Sequence, residues 1–154
     1  MSQIFLDKVF MAFAADLEVP PQTSLRAGDL LDDYKETLPF DPAVDAVSDE
    51  YMERYHWGLN HLDAASWRHY LPGLMEYAFR HIELNSIVVD ALLNSLRPPD
   101  REPPRLATLT ADQEIIVIAF LDTFAFAKVS AYQELACQVL EEWWVPNALY
   151  RQRK

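Results

Sequence analysis

Glycine and cysteine are scarce in this sequence, with three glycines and one cysteine among 154 residues. Loops that hold phosphate or a dinucleotide need closely spaced glycines, whereas Gly28, Gly58 and Gly73 stand far apart. The single cysteine, Cys137, excludes a disulfide within the chain. The Gly-x-Ser-x-Gly motif of many hydrolases is also missing. We therefore expect a protein that is not an enzyme and has no cofactor.

Long apolar runs and basic residues are also in short supply. No stretch approaches the roughly 18 uninterrupted apolar residues of a membrane span, and Asp7 and Lys8 argue against a secretory leader at the N-terminus. Lysine and arginine number 13 against 24 acids, which gives a net charge of −11. Such a charge repels nucleic acid and anionic lipid. The sequence thus predicts a cytoplasmic protein that binds neither nucleic acid nor membranes.

Apolar residues recur at helical spacing along the whole chain. The pattern predicts an all-α fold, a single-domain bundle of about six to seven helices over residues 1–154. We expect helices over Ser2–Leu17, Asp29–Thr37 and Asp49–Leu62, then a turn capped by Asp63, and then helices that begin at Pro72, at Asn85 or Ser86, at Thr110 and near Tyr132. Thr110 and Gln113 have the spacing of a capping box.

Two further segments stand out by composition. Residues 97–105, RPPDREPPR, hold four prolines and five charges, which predicts an exposed, partly extended connector within the domain. Residues 147–154 form a basic tail that is expected to fray or to contact acidic residues.

The densest charge lies in residues 29–53, which we call the acidic segment. It contains one lysine and nine carboxylates: Asp29, Asp32, Asp33, Glu36, Asp41, Asp45, Asp49, Glu50 and Glu53. One interpretation is a solvated edge that keeps the protein soluble. The other is a docking surface for a basic protein partner, steered by charge. An EF-hand calcium loop is disfavoured because no glycine lies between residues 29 and 57.

Tryptophan and histidine provide two further candidate features. The adjacent Trp143 and Trp144 cannot both face one side of a helix, so we predict that Trp144 is exposed and anchors a partner. Glu53 and His56 form one Glu-x-x-His unit, whereas a di-iron bundle needs two such units and further glutamates. No metal site is therefore predicted, and a metal-dependent helical-bundle enzyme is kept as an alternative that rests on these two residues.

A resemblance to a known family rests on caps, turns and core positions. The matching residues are Tyr70, Leu71 and Pro72, then Leu109, Thr110 and Gln113, then Phe120 and Leu121. Over roughly residues 50–125 the chain resembles an uncharacterised family of small bacterial helical proteins. This resemblance implies a helical fold and no known active site.

The chain is also similar in kind to the immunity proteins of bacterial toxin systems, which are small, acidic, single-domain and without a catalytic motif. That similarity implies an inhibitor that binds a cognate toxin, such as a secreted nuclease whose basic cleft an acidic surface would block. Our leading hypothesis is an immunity protein of this kind. The alternative is a regulatory or scaffold domain with another basic client, and neither specifies an oligomeric state.

Overall fold

The computed structural model describes residues 2–151, and within that range the chain forms α-helices joined by loops, with no β-strand. The helices are α1 (Gln3–Ala12), α2 (Ala14–Glu18), α3 (Leu25–Asp32), α4 (Asp49–Tyr55), α5 (Ala64–Arg80), α6 (Ile87–Ser95), α7 (Ala111–Phe126) and α8 (Gln133–Val139). Residues His56–His61 and Leu106–Thr108 form 3-10 helices, and Leu140–Trp144 form a π-helical turn. The prediction of an all-α single domain is confirmed.

Side-chain caps begin most of these helices. The capping residues are Ser2, Ser24, Ser48, Asp63, Ser86 and Thr110. The predicted capping box is present, since the Gln113 amide donates to Thr110 Oγ1 at 3.1 Å and the Thr110 amide donates to Gln113 Oε1 at 3.0 Å. Each cap satisfies an amide that the first turn leaves without an intrahelical partner.

The core lies around α5 and α7. Trp67, Tyr70 and Leu71 of α5 are fully or almost fully buried, as are Phe120 and Phe124 of α7. Helices α1, α6 and α8 cover this pair with aliphatic side chains. The burial of large apolar side chains is the main force that holds such a bundle together.

The prediction of one continuous first helix is wrong, because Phe13 divides this segment into α1 and α2. Phe13 is fully buried and has a non-helical backbone. The bend brings Asp16 of α2 to Arg68 of α5, where Nε and Oδ1 are 3.0 Å apart, and to Gln113 of α7, whose Nε2 donates to Oδ2 at 2.8 Å. These partly buried polar contacts fix the direction of α2, which helical periodicity alone does not encode.

Pro72 is a second departure from the sequence prediction, since it lies inside the 17-residue helix α5 rather than at the start of a helix. A proline inside a helix removes one hydrogen bond and costs about 3 kcal/mol. Buried side chains lie on both sides of it, from Trp67 to Phe79. Their burial offsets the cost and keeps the helix continuous.

The predicted helix over Asp49–Leu62 ends early, because α4 changes to a 3-10 helix at His56. This 3-10 helix packs on α3 with its backbone at Gly58 against the backbone at Gly28. A Cβ atom on Gly28 would lie 2.8 Å from the Cα of Gly58, and one on Gly58 would lie 2.8 Å from the amide nitrogen of Asp29. Both glycines have negative φ, so they are required for space rather than for backbone conformation.

This close contact predicts a strong difference between the glycines. Gly28→Ala or Gly58→Ala should lower the free energy of unfolding by about 3 kcal/mol or more, because backbone atoms cannot move aside as a side chain can. In Gly73→Ala, the matched control, the new Cβ would meet Val47 Cγ1 at an ordinary 3.5 Å. That change should stabilise α5 by about 0.5–1 kcal/mol. Urea unfolding of the three variants measures this, and equal effects would contradict the backbone contact.

Candidate protein-binding surface

The nine carboxylates of the acidic segment divide into those that stabilise the fold and those that face solvent. Asp45 is the clearest of the first kind, with 2% of its surface exposed. Its Oδ1 accepts from Arg26 Nε at 3.0 Å and from Tyr51 Oη at 2.8 Å, and its Oδ2 accepts from Arg26 Nη2 at 3.0 Å. The amide of Asp41 also donates to Oδ2, at 2.8 Å. The prediction that Asp45 is available to a partner is therefore wrong.

These contacts fix the loop between α3 and α4. Arg26 belongs to α3, Tyr51 to α4 and Asp45 to the loop, so one carboxylate joins three parts of the chain. Burial opposes ionisation of Asp45, but the hydrogen bonds from Arg26, Asp41 and Tyr51 outweigh it and hold its pKa below the usual value. Asp45 is thus a charged structural group.

Three other carboxylates of the segment bind groups of their own chain while remaining at the surface. Asp49 accepts from Arg80 Nη2 at 2.7 Å and from Arg80 Nη1 at 2.8 Å, and these hydrogen bonds lower its pKa. Glu53 Oε2 accepts from the Tyr77 hydroxyl at 2.7 Å. Asp32 Oδ1 lies 3.0 Å from His61 Nε2. A partner would have to compete with these contacts.

The remaining carboxylates are the most available. Asp33, Glu36 and Glu50 are exposed and make no side-chain hydrogen bond or ion pair with residues 2–151. Asp41 is exposed and accepts from the amide of Ala43 at 2.9 Å. Asp29 is half-buried, and burial followed by the charges of Asp33 and Asp32 raises its pKa. We call the exposed carboxylates of residues 29–53 the acidic surface.

Exposed apolar side chains lie among these acids. They are Leu31, Tyr34, Leu38, Val44 and Val47, with Trp57 on the adjacent 3-10 helix. Tyr34 is 99% exposed, and its backbone has a positive φ of 58°. Sequence reasoning missed Tyr34 and the aliphatic residues because the acids surrounding them dominate the composition of the segment.

The backbone around Tyr34 forms a specific helix end. The Tyr34 amide donates to the carbonyl of Leu31 at 3.0 Å, and the Lys35 amide donates to the carbonyl of Leu30 at 2.8 Å. This pair of bonds is the Schellman motif, in which the residue at positive φ is usually glycine. A tyrosine there costs conformational energy and buries almost no surface in return. The stability of the fold therefore does not explain why a tyrosine occupies this position.

Trp144, the predicted anchor, is buried, with 2% of its surface exposed and its Nε1 donating to the carbonyl of Leu96 at 2.9 Å. The prediction of an exposed Trp144 is wrong, because the π-helical turn at Leu140–Trp144 rotates the side chain into the core. Trp143 is half-buried instead, with the Arg151 guanidinium 5.1 Å from its ring centroid. Trp57 is the tryptophan that is exposed, at 51%.

The basic tail does not reach the acidic segment through Arg151, which pairs with Glu114 of α7. Residues 152–154 of the predicted tail lie outside the described residues.

The Glu53 and His56 unit does not form a cluster. His56 Nδ1 lies 2.9 Å from the backbone carbonyl of Glu53, while the Glu53 carboxylate accepts from Tyr77. Across residues 2–151, no three or more histidine, cysteine, aspartate or glutamate side chains group in a way that could hold a metal ion. None of the helices in that range is long and apolar enough to cross a bilayer.

Fold and surface together define a helical domain with an acidic, partly apolar surface. Residues 5–148 match the model of a family described as Family of unknown function (DUF6714). The chain belongs to this family, which confirms the predicted membership of an uncharacterised family. The match extends from residue 5, so the acidic segment lies inside the family domain rather than outside the resemblance. No curated protein and no solved structure matches the chain.

The buried ion pair predicts a pH-dependent contribution to stability. Because the folded pKa of Asp45 lies below its unfolded value of about 3.9, the pair stabilises the fold above that pH. The contribution is lost as pH falls through the folded pKa. Asp45→Asn should therefore cost about 3 kcal/mol at neutral pH and less at about pH 3, which lies below the unfolded pKa.

Urea unfolding at the two pH values measures this difference. Asp122→Asn is the control, since Asp122 is exposed and makes no side-chain contact of this kind with the described residues. An Asp45→Asn cost that is the same at both pH values would show that the carboxylate charge does not stabilise the loop.

Proposed function

We propose that this protein is an immunity protein, a stoichiometric inhibitor that binds a basic toxin through its acidic surface in the cytoplasm of the producing cell. The observation that carries the proposal is Tyr34, a fully exposed aromatic residue between Asp33 and Glu36, two carboxylates that have no partner among residues 2–151. Stability does not account for a tyrosine at this backbone position. Contact of its ring with a partner accounts for a tyrosine at this position.

Charge supports a basic partner. Asp29, Asp32 and Asp33 lie close enough together that Asp33 and Asp32 raise the pKa of Asp29, after the effect of burial. Like charges in such proximity repel, and lysine or arginine side chains from a partner would relieve that repulsion. The same field accelerates association with a positively charged surface at low salt. A nuclease toxin has such a surface in the cleft that holds its substrate.

The apolar side chains would contribute to affinity and residence time. Tyrosine and tryptophan are enriched among the residues that contribute most to protein interfaces, because they bury a large area with few rotatable bonds. Tyr34 and Trp57 are the exposed aromatic residues of this part of the surface. They take the anchoring role that sequence reasoning assigned to Trp144.

Charge reversal tests the role of the acidic surface. Asp33→Lys with Glu36→Lys should abolish retention of the partner at moderate salt, because both carboxylates are free to pair with it. Glu83→Lys with Asp122→Lys is the matched control, since it gives the same net charge from exposed acids elsewhere. The immobilised full-length chain is exposed to lysate and secretome of the source organism and washed with rising salt, and retained proteins are identified by mass spectrometry. Equal retention by both variants would contradict the proposal.

Exchange of Tyr34 separates binding from folding. Tyr34→Gly should leave the free energy of unfolding unchanged or raise it by up to about 1 kcal/mol, because glycine is favoured at this position. The same change should weaken binding of the retained protein at least about tenfold, the loss expected of an aromatic anchor. Surface plasmon resonance measures the second effect, with Tyr150→Ala, another exposed tyrosine, as the control. Undiminished affinity would remove Tyr34 from the interface.

Expression of the retained protein in a bacterium distinguishes inhibition from other binding. An immunity protein requires that the partner alone arrests growth and that co-expression of this chain restores it. A partner without toxicity would instead favour the regulatory or scaffold alternative.

A further inference from the structure

A second charged feature lies away from the acidic segment, in residues 97–105. These residues are not simply an extended connector, since Arg105 is 5% exposed. Arg97, Arg101 and Arg105 line one cleft of about 110 Å³, together with Asn60 of the 3-10 helix and Ser95 of α6. Three arginines around one small cleft are unexpected in a chain with so large an acidic excess.

Arg97 has its charge balanced within the chain. Its Nε donates to Glu142 Oε1 at 2.8 Å, and its Nη2 donates to Glu142 Oε2 at 3.0 Å. Glu142 is itself largely buried. This two-point pair is the strong arrangement of an arginine with a carboxylate, and here the guanidinium is partly buried.

Arg101 and Arg105 lack such a pair with any carboxylate in residues 2–151. Arg105 Nη1 donates to the carbonyls of Leu59 at 3.0 Å and Leu62 at 3.4 Å, and its guanidinium lies 5.1 Å from the Trp67 ring centroid. Arg101 donates to the carbonyl of Leu62 at 3.1 Å and to that of Asn60. Carbonyl oxygens carry only partial charge, so among the described residues neither guanidinium has a carboxylate in direct contact, and the charges of Asp100 and Asp63 act on Arg105 only from a longer distance.

The carboxylate that lines this cleft is committed elsewhere. Asp100 accepts from the amides of Arg105 and Leu106 at 2.8 Å, of Ala107 at 2.9 Å and of Arg101 at 2.9 Å. Burial opposes its ionisation, but these amides prevail and lower its pKa. Burial, followed by the charge of Arg101, lowers the pKa of Arg105 to about 10. With Arg97 paired to Glu142, the guanidinium groups of Arg101 and Arg105 still outnumber the one carboxylate in the lining, that of Asp100, so the lining keeps a net positive charge.

We propose that this cleft binds a small oxyanion of the phosphate or sulfate class through Arg101 and Arg105. Guanidinium groups present paired N–H donors whose spacing fits the oxygens of such an anion. The cleft is well below the roughly 300 Å³ of sites for drug-sized ligands, which favours a free inorganic anion over a nucleotide. A bound anion would also balance charge that the described chain leaves uncompensated.

Calorimetric titration of the full-length chain with sodium phosphate and sodium sulfate tests the site, in chloride buffer at constant ionic strength. We expect saturable binding of one anion. Arg101→Gln should weaken it at least about tenfold, since it removes a charged donor pair. Arg105 is buried whereas Arg101 is exposed, so Arg101 is the position whose exchange disturbs the fold less. Arg54→Gln is the matched control, because Arg54 is exposed and has no carboxylate partner among the described residues.

The outcomes separate a site from general charge effects. Saturation in the unchanged chain and in Arg54→Gln, with loss in Arg101→Gln, supports the proposal. Equal weakening in both variants would show that surface charge alone attracts the anion, and no saturation up to millimolar concentration would show that there is no site. An equal response to sodium acetate would overturn the assignment to phosphate or sulfate.

Discussion

The contact between Gly28 and Gly58 is the constraint on which the acidic part of the molecule depends. It allows the backbones of α3 and the 3-10 helix to touch, at a separation that no side chain permits. This approach places Asp32 beside His61, and it places His56 close enough to Asp29 to act on the pKa of that carboxyl group. The start of α3, held in this way, presents Arg26 to the loop that follows.

The acidic segment combines two uses of the same residue type. Asp45 is buried and fixes the loop through Arg26 and Tyr51, whereas Asp33 and Glu36 face solvent with no partner among the described residues. A buried ion pair adds little net stability over apolar packing, but its loss is costly, so it is well suited to define one conformation. The free carboxylates are then presented from a loop of defined shape, which reduces the ordering cost of binding.

Sequence reasoning succeeded where local chemistry decides the structure. Helical class and the capping box of Thr110 and Gln113 follow from spacing and hydrogen-bonding groups. Sequence reasoning failed where contacts between residues distant in the sequence decide which side chains are buried. Asp45 is buried because it pairs with Arg26 of α3. Trp144 faces the core because it lies in the π-helical turn at Leu140–Trp144, which changes the direction of its side chain. Tyr34 was missed because the surrounding acids dominate the segment and because a positive φ leaves no signal in the sequence when the residue is not glycine.

We infer that Asp45 orders the loop between α3 and α4 before any partner binds. Residue-resolved amide hydrogen exchange of the isolated protein tests it most directly. The amides of Asp41, Val44 and Asp45 are hydrogen-bonded within the loop, to the Asp45 carboxylate or to the Asp41 carbonyl. We predict that they exchange far more slowly than free amides and lose this protection in Asp45→Asn. Rapid exchange of all three in the unchanged chain would contradict the account.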